Sequence, residues 1–188
     1  FPGKIVVIDN ERDADNAVLQ LNNERIIGFD TETRPTFKKG KSNHVALIQL
    51  STHDTCYLFR INRIGFTPAI KNLLENESLL KVGISLKDDF CMLSRLNGGQ
   101  FIPRNFIELQ KFVKKYNIED QSLQKIYGIV IGKKISKGQR LSNWEADHLT
   151  ENQQLYAATD AWSCIKIYEV LKSGKFKSPI YKIQPSSL

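Results

Sequence analysis

From Thr150 to Leu171 the chain runs without a glycine or a proline, and it enters that run through Thr150-Glu151-Asn152-Gln153, the Thr-x-x-Gln form of a capping box. This predicts one long helix that closes near Gly174. Within it Leu155, Ala158, Trp162 and Ile165 recur at three- and four-residue steps and predict the packed face. Upstream, short apolar runs bounded by polar breaks predict strands at residues 4–8, 26–31, 45–51, 55–59, 80–83 and 105–108. Helical patterns fall at residues 12–21, 68–75, 87–96, 109–116 and 122–127. Three consecutive strands followed by alternating helices and strands predict an α/β fold, a mixed five- to six-stranded sheet flanked by helices on both faces. At 188 residues and 41% hydrophobic, the chain is long enough for one core and short for two.

Acidic residues stand at the ends of these elements. Arg25-Ile26-Ile27-Gly28-Phe29-Asp30 reads as a buried strand, and Asp30 and Glu32, two apart, share a face at its C-terminal end. That end is where open α/β sheets place their ligand sites. Two close carboxylates resist ionising unless a cation lies between them, and Mg²⁺ or Mn²⁺ suits oxygen donors. On the long helix Tyr156 and Asp160 stand four apart, one turn above the other. A carboxylate on a largely buried helix needs a partner, because burying it alone is expensive. Asp88 and Asp89 begin the helix at 87–96, where the helix dipole favours negative charge. That is a sufficient structural reason for either, so position does not choose between them.

Asp-x-Glu on a core strand, Asp at the start of a mid-chain helix and Tyr-x-x-x-Asp on a late helix together resemble the tyrosine-bearing DEDD 3′→5′ exonucleases, the group of RNase D and the Werner syndrome exonuclease domain. Val45-Ala46-Leu47-Ile48-Gln49-Leu50, Ser142-Asn143-Trp144 and Leu149 through Ala161 extend the likeness, which covers roughly residues 24 to 172. The resemblance implies a ribonuclease H-like fold, with the exonuclease domain at residues 1–174 and a polar tail or linker at 175–188. It implies a metal set of Asp30, Glu32, Asp88 and Asp160 holding two divalent cations, with Tyr156 orienting the attacking water. It favours Asp88 over Asp89, since Phe90 and Leu93 fall where the family has apolar residues, whereas Asp89 would put Cys91 there. Leu155 occupies the position at which the sister group carries histidine. Two divalent ions at such a site stabilise both the attacking and the leaving oxygen, so no protein nucleophile is required. The implied reaction removes nucleoside 5′-monophosphates from the 3′ end of DNA or RNA. The alternative is a non-catalytic nucleic-acid-binding module that retains the fold; loss of a carboxylate would favour it, and all four are present.

A formal charge of +7 around an acidic site agrees with a phosphate-chain substrate. Lys38, Lys39 and Lys41 follow the first motif, and Lys133, Lys134, Lys137 and Arg140 share a loop with Gly132 and Gly138. Candidate substrate contacts are Thr31, Arg34, Phe37 as a stacking platform, Lys38, Lys39 and Arg140. No apolar stretch approaches the ~18 residues of a membrane span, and no signal peptide is visible, so no membrane partner is expected. Cys56, Cys91 and Cys164 are widely spaced and indicate neither a disulfide framework nor a zinc site, which makes a reducing cytoplasm the expected compartment. His44, His53 and His148 lack metal-ligand spacing. The family's usual companions, a helicase or a small helical nucleic-acid-binding domain, are expected outside these residues.

Overall fold

In the computed structural model, which describes residues 1–34 and 44–177, the chain forms β1 (Lys4–Ile8), α1 (Glu11–Leu21), β2 (Ile26–Thr33), β3 (Val45–Ser51), β4 (Thr55–Phe59), α2 (Ile61–Ile64), α3 (Pro68–Glu75), β5 (Leu80–Gly83), α4 (Leu86–Leu96) and β6 (Phe106–Glu108). These are followed by α5 (Leu109–Phe112), a 3-10 turn (Val113–Tyr116), α6 (Leu123–Ile131) and α7 (Glu151–Lys172). The strands make one sheet in the order β1-β4-β3-β2-β5-β6. β3 is antiparallel to both β2 and β4, while β1 runs parallel to β4, β5 to β2 and β6 to β5. Central β3 is buried at every position, which is why its sequence reads as a nearly continuous apolar run.

Alternation along β2 divides the core. Ile27 and Phe29 join Ile48, Leu50, Leu21, Ile70, Leu74 and Leu93 under α1, α3 and α4. Gly28, Asp30 and Glu32 point the other way, toward α7. There the packing comes from Leu47, Leu58, Ala157 and Ala158 on one side and from Val82, Ile126, Cys164 and Ile167 on the other. Gly28 sets the distance between layers, since a Cβ at that position would stand 1.9 Å from the Ala161 carbonyl oxygen. Only glycine lets the helix come that close. Both halves of the predicted capping box at Thr150 and Gln153 are formed.

Two expectations change. The buried face of α7 is made by Tyr156, Ala157, Ala158, Asp160, Ala161, Cys164 and Ile165, whereas Leu155 is 47% exposed and Trp162 only half-buried. Close approach selects small residues against the sheet and turns the larger Leu155 outward. At the end of α4, Leu96 is exposed, because the helix meets the core through Leu86 and Leu93. Helix α6 continues past Tyr127 to Ile131 and stops at Gly132, whose φ of 77° provides the left-handed cap.

Candidate active site

Gly28 brings α7 against the end of β2, and the carboxylates meet there. One oxygen each from Asp30, Glu32 and Asp160 lies within 4.8 Å of the others. Burial is the first cause that raises their pKa values, and mutual repulsion is the second for Asp30 and Glu32. Asp30 is held well above the usual carboxylate range, Glu32 is pushed up to about 9 and Asp160 to about 7. No Lys or Arg among the described residues forms an ion pair with any of them. Oδ1 of Asp160, which is 4% exposed, is buried without a hydrogen-bond partner. A set of hard oxygen donors that repel one another, one of them unsatisfied, is complementary to a divalent cation.

The structure brings Asp89 to this cluster and leaves Asp88 exposed. Asp89 accepts a 2.5 Å hydrogen bond from the Thr31 hydroxyl, burial raises its pKa to about 6, and its charge contributes to the elevation of Asp30 and Glu32. The start of α4 fixes which acid turns inward. The Glu108 carboxylate accepts from the Ser85 and Leu86 backbone N–H groups, at 3.1 and 2.8 Å, and Ser85 is left-handed at φ 60°. With Leu86 and Leu93 buried, Asp89 shares their side of the helix and Asp88 faces solvent. Position left the two acids open and the resemblance favoured Asp88; in this geometry Asp89 is the one turned toward the cluster. The signal was present in the Leu86-to-Leu93 periodicity, which passes through 89 and not 88.

Tyr156 is buried beside Asp160 and interacts with it. The contact draws Asp160 down against its burial, while burial and the neighbouring carboxylates push the phenol well above its ordinary range. The Tyr156 ring packs 6.1 Å from that of Trp144, at an interplanar angle of 34°. Trp144 is fully buried, and sequence reasoning assigned it no role. Its segment is pinned from both sides. Arg60, 2% exposed at the end of β4, donates to the carbonyls of Asp147, at 3.2 Å, and Ala146, and Gln153 Nε2 donates to the Asn143 carbonyl at 3.2 Å. Arg60 also escaped the sequence reading, since nothing distinguishes a buried arginine after a strand from an exposed one.

The predicted substrate residues are dispersed. Thr31 spends its hydroxyl on Asp89, Arg34 forms a 3.1 Å ion pair with Glu145, and Arg140 is exposed on the loop after α6. Phe37, Lys38, Lys39 and Lys41 lie outside the described residues.

A ribonuclease H-like mixed sheet with acids converging at the end of a central strand defines a DEDD-type exonuclease domain. Residues 5–174 match the 3'-5' exonuclease family, and the chain belongs to that family. It is 35% identical over 188 residues to the mouse "Bifunctional 3'-5' exonuclease/ATP-dependent helicase WRN", covering 91% of this chain and 13% of that protein. It is 27% identical to the "Exonuclease mut-7 homolog" of Aedes aegypti, covering 81% of this chain and 24% of the relative. It therefore spans a minor part of these relatives. Among solved structures, Escherichia coli RNase D superposes with a TM-score of 0.81 at 20% identity, over 92% of this chain and 45% of that one. The Aedes aegypti Nibbler EXO domain gives 0.80 at 23%, over 90% and 87%. At these identities the likeness is one of fold.

Proposed function

We propose that the chain is a divalent-metal-dependent 3′→5′ exonuclease that hydrolyses the phosphodiester bonds of DNA or RNA from the 3′ end and releases nucleoside 5′-monophosphates. The convergence of Asp30, Glu32 and Asp160 oxygens within 4.8 Å, with no ion pair to any of them among the described residues, carries this reading. Asp30, Glu32 and Asp160 would hold metal directly, and Asp89 takes the fourth place that the motif first offered to Asp88. When bound, two Mg²⁺ or Mn²⁺ ions supply Lewis-acid activation of water and neutralise charge developing at the phosphate.

The protein's own groups prepare that site. Thr31 fixes the Asp89 carboxylate, and the elevated pKa of Tyr156 keeps its hydroxyl protonated, so it orients a water by hydrogen bonding rather than acting as a base. Trp144 braces the phenol ring from behind.

The domain extends over residues 1–174; of the tail at 175–188, residues 178–188 lie outside the described ones. A helicase would act as a partner from outside these residues; the name of the mouse relative states one for that protein. The three cysteines are free, which supports a reducing, cytoplasmic setting. No helix among the described residues is long and apolar enough to cross a membrane.

A 5′-labelled oligonucleotide, as DNA and as RNA, tests the reading when incubated with protein and Mg²⁺ or Mn²⁺. A ladder shortening from the 3′ end, absent with chelator and with Asp30→Asn, is the expected result. Substrate that is retarded but uncut would replace the enzyme with a binding module.

A further inference from the structure

Directly across the sheet from Asp30 stands Gln49. The β2–β3 register pairs the two residues, and the β3–β4 register continues the row to Leu58. Residues opposite one another on antiparallel strands share a face, with Cβ atoms about 4.5–5.5 Å apart. Gln49 therefore shares with Asp30 the face turned toward α7, and the two side chains are within each other's reach. Its neighbours on that face, Leu47 and Leu58, pack with Ala157 and Ala158 in an apolar cluster, and Gln49 is fully buried. Neither its Nε2 nor its Oε1 has a hydrogen-bond partner among the described residues. Arg60, Trp144 and Ser163 each bury one unanswered atom, whereas Gln49 buries a whole amide. A buried amide left unanswered costs stability that an apolar side chain of the same size would not.

We infer that Gln49 is a positioning residue for the cation site: in the loaded site its Nε2 donates to the Asp30 oxygen turned away from the cluster, and so holds the other oxygen toward Glu32 and Asp160. The inference rests on the exonuclease reading above. Asp30 offers one oxygen to the cluster, which leaves a second to be held. Carboxylates that ligate a metal are themselves oriented by hydrogen bonds from groups outside the ligand set. Asp89 has such a donor in the Thr31 hydroxyl, and Gln49 gives Asp30 the equivalent. The terminal torsion of a glutamine is broad, so rotation about it aims Nε2 at the carboxylate. An amide also suits the task because it donates without carrying charge. A lysine or arginine at this position would neutralise Asp30 and compete with the cation.

Gln49→Met tests this, since it keeps the size of the side chain and removes its donor and acceptor. Titration of Mn²⁺ into the protein, followed by the electron paramagnetic resonance signal of the free ion, should show binding about tenfold weaker than in wild type, the size of losing a group that orients a ligand. In chelator the variant should melt at or above the wild-type temperature, because an unanswered amide is gone. Ser163→Ala removes another buried, unanswered polar atom and is the control; its Mn²⁺ affinity should equal that of wild type. Unchanged affinity in Gln49→Met, an equal loss in Ser163→Ala, or a lower melting temperature of Gln49→Met in chelator would overturn the assignment and leave the exonuclease reading standing. Wild-type protein that binds no Mn²⁺ would overturn both.

Discussion

Arg60 and Asp160 are both almost fully buried, yet the molecule treats the two charges in opposite ways. The guanidinium of Arg60 is answered by the backbone carbonyls of Ala146 and Asp147. Lys81, also buried, has the Asn76 carbonyl at 2.6 Å and the Phe106 ring beneath its ammonium. Asp160 has Tyr156 beside it, its Oδ1 has no hydrogen-bond partner among the described residues, and the charged groups grouped with it there are Asp30 and Glu32. Buried charge that serves only the fold is compensated inside the fold. On the proposed reading, the cluster left uncompensated among the described residues takes its counterion from outside.

The sharpest break of this contrast is Asp30→Asn. The substitution removes one donor and one repulsive charge, so activity with Mn²⁺ should fall by at least about 10²–10³-fold, the size of losing one charge-stabilising group in a water-poor site. Stability in chelator should hold or rise. Loss of activity with an equal loss of metal-free stability would make Asp30 a structural residue.

Next in size is the effect of the ion itself. Asp89, Asp160 and Glu32 have pKa values lifted to about 6, 7 and 9, above what the unfolded chain provides. A carboxyl whose pKa is higher in the folded state stabilises that state below its unfolded pKa and loses the contribution as pH rises through the folded value. Chelator-treated protein should therefore melt at progressively lower temperature from about pH 4 to pH 9. Divalent ion at about 100 times its Kd should add about 2.7 kcal/mol at neutral pH and flatten the slope. Thermal unfolding against pH, with and without Mn²⁺, measures both, and a flat chelated profile would remove the repulsion on which the site's reading depends.

On the compensated side, Arg60→Met should cost on the order of 1–3 kcal/mol, because it leaves buried carbonyls of the segment that carries Trp144 without a donor. The loss should be independent of divalent ion. If ion restored it, the two regions would be coupled rather than opposed.

What the sequence disclosed follows the same division. Alternation on β2 and the four-residue step on α7 placed Asp30, Glu32, Tyr156 and Asp160, since a strand and a helix fix those relations locally. The order of strands and helices likewise gave the layered sheet. Asp88 and Asp89 could not be ordered by dipole arguments, because both occupy a first turn; the Glu108 contact that sets the helix start comes from a strand paired through β5 and is not local. Arg60 and Trp144 were silent for the same reason, as their partners lie in distant segments joined only by folding. Leu155 misled because the apolar step was right for a helix but blind to Gly28, which draws α7 too close for a leucine beneath it.

Arg34 provides the finest test, a charge that is neither buried nor left for an ion. Its bond to Glu145 joins side chains that are 59% and 34% exposed, and such a pair contributes no more than about 1 kcal/mol once solvent screens it. Arg34→Ala should therefore barely shift unfolding. Arg34 follows the Asp30 strand, so the same variant should raise KM for an oligonucleotide through loss of a phosphate contact. Glu145→Ala, which frees the guanidinium, should leave KM unchanged or lower it. Titrating salt separates the two roles, because a phosphate contact makes the Arg34→Ala defect shrink as ionic strength rises. A defect that is constant with salt and shared by Glu145→Ala would mean that the pair acts by holding the Trp144 segment, placing Arg34 with Arg60 among the compensated charges.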